Sequence, residues 1–234
     1  MTLSAVVMAA GLGTRLRPLT ERCAKPVLPI DGRPVLGALL RELAAAGIRE
    51  VTIVTCHLAE QVERLVGDGA SWGLQARFAR QEQPDGGSTD AVLAAGAEPP
   101  YLVLAADTLF ARGDVGRFAA AYAESGAAGA VAVRRRPGPS SHRHAVRIRA
   151  GRVELMHDPE PGNELSGAPL WAVAEPVARR IETRPGNPPW ELQTAFQQAI
   201  DEGEVIAGVE IGPTRDLTAP GDVLLENFAY LRTL

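Results

Sequence analysis

Residues 3–20 read LSAVVMAAGLGTRLRPLT, and the fold is decided in this stretch. The apolar run Leu3–Ala10, centred on Val6 and Val7, has the length of a buried strand. It leads straight into a loop with two glycines, Gly11 and Gly13, followed by Thr14 and Arg15. The loop lacks the dinucleotide fingerprint, because Leu16 stands where a third glycine would be needed. It is not a P-loop either, since no Gly-Lys-Ser/Thr follows. Glycines at such a turn let successive N–H groups approach and face an anion.

Outward from this segment the same rhythm continues. Apolar residues at Val35, Leu36, Leu39, Leu40 and Leu43 predict a helix over 35–46 that stops at Gly47. Strands follow at 51–55, more weakly at 75–79, then at 101–106 and 128–133. Helices are predicted between them at 58–66, 89–97 and 114–125. Alternation of strand and helix means a mostly parallel sheet covered on both faces. The pattern changes at Arg134–Ser141 (RRRPGPSS), which reads as a loop. Alternating segments at 144–149 and 152–157 flank Ala150-Gly151 as a hairpin. A loop at 159–167, a strand at 168–174, helices at 176–183 and 191–202, a strand at 205–210 and a last helix near 220–231 complete the reading. The predicted class is α/β: a mostly parallel sheet with helices on both faces, onto which the second half builds a small β-hairpin/helical layer.

Composition narrows the function. The chain has 234 residues, 46% hydrophobic and 22% charged, with a net charge of −4, which fits a globular protein and excludes a disordered one. An acidic balance argues against a general nucleic-acid binder. Two cysteines, Cys23 and Cys56, exclude a disulfide framework and point to a reducing compartment. No run approaches the roughly 18 apolar residues of a membrane helix, and the N-terminus has no basic n-region. The expectation is a cytoplasmic protein with no membrane partner.

One count stands out. Lysine and arginine total 24, yet Lys25 is the only lysine. A compact ammonium and a planar guanidinium are not interchangeable at a tight anionic site. A glycine loop with Arg15 and a lysine ten residues on supplies what a triphosphate needs, namely many donors and charge compensation. The alternative for Arg15 and Arg17 is a solvated surface. Asp107 directly follows the strand at 101–106, at the end where open α/β sheets bind ligands. A carboxylate there suits magnesium, and its plainer role is a turn cap. The segment 81–92, QEQPDGGSTDAV, joins a strand to a helix whose N-terminus favours anions, and the amide of Gln81 or Gln83 could read a base edge.

Several of these segments together resemble one family. Residues 9–36, AAGLGTRLRPLTERCAKPVLPIDGRPVL, resemble the opening signature GxGTRLxPLTxxxPKP of sugar-1-phosphate nucleotidylyltransferases, with Ala24 where proline is usual. Residues 87–92, 102–110, 191–203 and 216–227 resemble further family segments, so the likeness runs from about residue 3 to 230. The resemblance implies a modified doubly wound (Rossmann-like) fold, and a reaction in which an acceptor phosphate attacks the α-phosphorus of a nucleoside triphosphate and pyrophosphate leaves. By likeness Gly11, Gly13 and Thr14 hold the triphosphate, with Ala10 and Gly87 also at the nucleotide. Gln81 and Gly86 would face the base. Arg15 would neutralise the leaving pyrophosphate, and Lys25 would stabilise charge at the α-phosphoryl oxygens. Asp107 and Asp216 would hold Mg²⁺. The single domain 1–234 then divides into a nucleotide-binding half, 1–133, and a half for the acceptor and the second metal ligand, 134–234.

The acceptor end departs from that pattern. The usual Tyr-Gly-Val reads His144-Ala145-Val146, and the usual Glu-Lys-Pro reads His157-Asp158-Pro159. Asp158 reverses the charge of a lysine expected at the acceptor phosphate. Arg147, Arg149, Arg152 or His157 would have to compensate, and Arg147 and Gly167 are the candidate acceptor contacts. The spacing Gly167…Trp171 looks more like cytidylyltransferases acting on phosphocholine or a phosphonate. The expected function is condensation of a nucleoside triphosphate with a sugar 1-phosphate to give a nucleotide-sugar and pyrophosphate. The alternatives are that cytidylyltransferase chemistry and a non-catalytic nucleotide-binding homologue. The base, the phosphorylated small-molecule acceptor and a homo-oligomeric state stay open at this point.

Overall fold

The computed structural model describes residues 3–136 and 144–228. The first half runs β1 (Ser4–Ala9), β2 (Pro29–Ile30), β3 (Arg33–Pro34), α1 (Val35–Ala45), β4 (Glu50–Thr55), α2 (Ala59–Val66), β5 (Gln75–Arg80), α3 (Ser88–Ala95), β6 (Tyr101–Ala105), β7 (Thr108–Leu109) and α4 (Asp114–Ser125). The second runs β8 (Gly129–Arg135), β9 (Arg147–Arg149), β10 (Arg152–Leu155), β11 (Leu165–Val173), α5 (Glu175–Glu182), α6 (Leu192–Asp201), β12 (Ile206–Glu210), β13 (Arg215–Asp216) and α7 (Pro220–Asn227). Nine strands form one sheet in the order β5-β4-β1-β6-β11-β8-β12-β10-β9.

The apolar strands explain the layering. On β1, Ala5, Val7 and Ala9 face one core and Val6 the other; on β6, Leu102 and Leu104 oppose Tyr101 and Val103 in the same way. The first core packs against α1, α2 and α4 through residues such as Leu40, Val62 and Phe118. The second packs against α3, α5 and α6 through Val92, Ile181 and Phe196. A strand covered on both faces must be apolar at every position, so these segments read as continuous runs and not as alternation.

The sheet is α/β and doubly wound as the sequence predicts, and the structure adds where its parallel order breaks. β5, β4, β1 and β6 are parallel, as are β8 and β12. Between these groups β11 runs antiparallel to both β6 and β8. The second half therefore continues the sheet of the first, and the hairpin β9–β10 forms its far edge, joined to β12. β11 starts at Leu165, three residues before the expected strand. β8 runs on to Arg135, inside the segment read as loop, of which residues 137–141 lie outside the described residues. Of the last predicted helix, the part beyond Asn227 falls largely outside them too.

The two halves are also pinned at the start of α3. Trp190 N–H donates to the Gly86 carbonyl (3.1 Å), and Thr89 N–H donates to the Trp190 carbonyl (3.0 Å). Leu192 N–H donates to Ser88 Oγ (2.9 Å), and the Ser88 hydroxyl donates to Glu191 at 2.5 Å. Gly87 makes this approach feasible: its φ is +93°, and a Cβ there would lie 2.2 Å from the Trp190 carbonyl oxygen. Gly96, which ends α3, has φ +54° but open space where a Cβ would go. Thermal unfolding should separate the two. Gly96→Ala should cost about 1–2 kcal/mol, the strain of a left-handed residue alone. Gly87→Ala should cost more than that and lower the melting temperature by at least about 4 °C, at the 2–4 °C per kcal/mol typical of this chain size.

Candidate active site

The loop after β1 is held from below. Gly13 (φ +63°) turns the chain into a short 3₁₀ turn, Thr14–Leu16. Its carbonyl accepts the Thr20 hydroxyl and the Leu16 N–H, both at 2.8 Å. A Cβ at Gly13 would stand 2.8 Å from Thr20 Cγ2, whereas one at Gly11 would meet nothing within 4 Å. Gly13 thus packs against the protein, and Gly11 borders the open cleft.

Lys25 opens another 3₁₀ turn, Lys25–Val27, and its ammonium forms an ion pair with Asp107. Both side chains are largely shielded, at 16% and 22% exposure. Ala24, where the family pattern has proline, keeps a proline-like φ of −59°. Unlike proline it retains an N–H, which donates to Gln61 Oε1 at 2.8 Å; Gln61 in turn donates to the Arg22 carbonyl. The turn that aims Lys25 is therefore held by a hydrogen bond to α2 as well as by its backbone geometry.

Asp216 reaches the same place from the other end of the chain. The ladder β7–β13 sets Asp216 opposite Thr108, and Leu217 N–H donates to the Asp107 carbonyl at 3.2 Å. The Thr108 hydroxyl donates to one Asp216 oxygen at 3.0 Å. The other oxygen pairs with Arg134 at 2.6 Å and lies 3.8 Å from Arg136. Each carboxylate is thus compensated by a cation. Two hard carboxylates, one in the turn before β7 and one on its partner strand β13, both open to a cleft that can supply phosphate oxygens, fit the ligand preference of Mg²⁺. Asp107 and Asp216 are the residues that would hold it.

Two clefts meet over this cluster. The first, about 440 Å³, is lined by Gly11, Gly13, Thr14, Arg15, Gln81, Gly87 and Ser88, among others. Ala10 also borders it. Gln81 is buried, anchored by its N–H to the Thr55 carbonyl and by its amide to the Gly87 carbonyl. The second, about 410 Å³, is lined by Arg134, Arg136, His144, Gly167, Gln193 and Asp216. Arg15, Lys25, Asp107 and Thr218 border both clefts and mark their junction.

Residues 4–144 match the family model described as nucleotidyl transferase. The chain belongs to the nucleotidyl transferase family. A glucose-1-phosphate thymidylyltransferase from Actinoplanes is 40% identical over 82 residues, covering 35% of this chain and 27% of that protein. An N-acetylmuramate α-1-phosphate uridylyltransferase from Neisseria meningitidis is 37% identical over 112 residues, 46% of this chain and 48% of that one. The chain thus matches about a quarter to a half of these relatives' own lengths. A solved UDP-glucose pyrophosphorylase complexed with UDP-glucose superposes on the whole chain with a TM-score of 0.83 at 17% identity, a likeness of fold. No helix among the described residues is long and apolar enough to cross a membrane.

Two expected contacts lie elsewhere. Gly86 does not line the first cleft; it sits behind it, where a Cβ would come 2.4 Å from Asp90. Arg147 does not line the second cleft. It donates to Asp158 at 2.5 Å, and Asn163 donates to the same carboxylate at 2.7 Å. The charge reversal at Asp158 therefore presents no anion to the acceptor; it is buried and neutralised inside the second half. Arg149 is likewise occupied, pairing with Glu154 on the hairpin. Of the acceptor candidates, Gly167 is the one in the cleft, while Trp171 packs into the core. The residues that sequence reading missed are Arg134 and Arg136. Continuing the alternation of Ala130 and Ala132 along β8 would have set both on one face.

Burial alone would raise the Asp158 carboxyl, but hydrogen bonds from Arg147, Glu160 N–H and Asn163 outweigh it and hold its pKa below the usual carboxylate value. A depressed carboxylate stabilises the fold above its unfolded pKa of about 4, and that contribution is lost as pH falls through the lower folded value. Asp158→Asn should lower stability at pH 7. Its denaturant midpoint should also fall less than that of the parent between pH 5 and 2.5.

Proposed function

We propose that this chain is a nucleotidyltransferase that joins the nucleotidyl group of a nucleoside triphosphate to a phosphorylated small molecule, a sugar 1-phosphate, releasing pyrophosphate. The observation that carries this reading is the junction of the two clefts at Lys25 and Asp107. A triphosphate in the first cleft and a phosphate in the second would present their reacting atoms to the same ammonium.

The acceptor phosphate oxygen attacks the α-phosphorus, and the bond to the β-phosphate oxygen breaks. Such a transfer needs alignment and charge compensation more than covalent chemistry. The loop Gly11–Thr14 holds the triphosphate with backbone N–H groups and a hydroxyl. Arg15 faces the leaving pyrophosphate. Lys25 meets the charge that grows on the α-phosphoryl oxygens, with Asp107 holding the ammonium in place until the substrate arrives. Gln81 and Gly87 face the base. Mg²⁺, which Asp107 and Asp216 would hold, would supply electrostatic stabilisation of the phosphates. Relatives named for both thymidylyl and uridylyl transfer leave the base to be assigned by experiment.

A panel of dTTP, UTP, CTP and GTP against glucose 1-phosphate, other sugar 1-phosphates, phosphocholine and a phosphonate, read by pyrophosphate release, tests this. One pair is expected to turn over with a divalent-ion requirement. Lys25→Ala should slow that pair about 10²–10³-fold, as for loss of one preorganised donor. Full activity in Lys25→Ala would refute the mechanism, and triphosphate binding without turnover of any pair would refute the activity.

A further inference from the structure

We propose that Arg134 and Arg136 form the seat of the acceptor's phosphate, and that Arg134 exchanges Asp216 for that phosphate when the acceptor binds. The inference rests on the proposed transferase reading and names the residues that recognise its acceptor.

Arg134 is a nearly buried cation, with its side chain 5% exposed. Its one ion-pair partner among the described residues is Asp216, and its Nε and Nη1 donate to nothing there. Buried guanidinium donors without acceptors are costly, so an arginine left this way is a poor structural element. Arg136 stands two residues further on, one past the end of β8, half exposed and also near Asp216. Both line the second cleft. Around that cleft Arg15, Lys25, Arg134 and Arg136 face Asp107 and Asp216, four cations against two carboxylates. The excess fits a doubly charged anion, and two planar forks match the several oxygens of a phosphomonoester better than a single carboxylate.

The exchange has a consequence for the carboxylates. While Arg134 pairs with Asp216, that carboxylate is partly neutralised. A phosphate that engages Arg134 frees Asp216 for a divalent ion, so acceptor and ion should favour each other's binding.

Calorimetric titration of the whole chain with inorganic phosphate, Mn²⁺ and a nucleoside triphosphate, each separately, tests this without turnover. Wild-type protein should bind phosphate. Arg134→Met should weaken phosphate at least tenfold while Mn²⁺ binding holds or tightens, because Asp216 loses its cation. A merely structural arginine would weaken both. Arg136→Gln, at a half-exposed position that leaves the fold intact, should weaken phosphate at least fivefold and leave triphosphate affinity within twofold. Phosphate affinity unchanged in Arg136→Gln would overturn the proposal. Triphosphate or Mn²⁺ affinity falling together with phosphate in that variant would also overturn it. Failure of every substrate pair to turn over would instead count against the transferase reading, since these titrations do not depend on it.

Discussion

Two carboxylates, Asp107 in the turn between β6 and β7 and Asp216 on β13, line one cleft, and each is held by a cation of its own. Left bare, two partly shielded like charges would repel and destabilise the strand ends that carry them. Lys25 answers one and Arg134 the other. Both pairs border a cleft, so each is an interaction that a polyanionic ligand and a divalent ion can replace with stronger ones. The rest of the fold serves to bring these four residues, from positions 25, 107, 134 and 216, to one spot.

The backbone does this with few devices. β1 and β6 pair in parallel and release the glycine loop and Asp107 at the same edge. The ladder between β7 and β13 fetches Asp216 from the far end of the chain. β11, antiparallel between β6 and β8, merges the two halves into one sheet and pairs Arg134 with Ser166, so that Arg134 and Gly167 line the same cleft. The Gly86–Thr89 and Trp190–Leu192 segments then lock the rim of the nucleotide cleft through backbone bonds.

Much of the fold was legible because strands buried on both faces are continuous apolar runs, and the segments around Val6, Ile53 and Val103 show this plainly. The glycine loop, Lys25 and Asp107 were legible for a related reason: their residue types are unusual where they stand. The direction of β11 was not legible, since antiparallel insertion depends on pairing between residues 30–44 and 66–72 positions apart, which no local period records. The two-residue ladder at Asp216 is too short to carry any pattern. Arg134 was hidden by its own polarity. A triple arginine before a Pro-Gly pair reads as solvated loop, whereas pairing with β11 draws it into the sheet and buries it. Asp158 misled in the opposite way, because its partner Arg147 lies 11 residues away across a hairpin.

The most direct test of this charge arrangement is the anomalous scattering of Mn²⁺ in crystals of the protein grown with a non-hydrolysable nucleoside triphosphate. The account predicts a manganese peak between the carboxylates of Asp107 and Asp216, with the triphosphate against the loop Gly11–Thr14 and Lys25 turned toward its α-phosphate. A metal peak away from both carboxylates, or a triphosphate bound outside that loop, would contradict it.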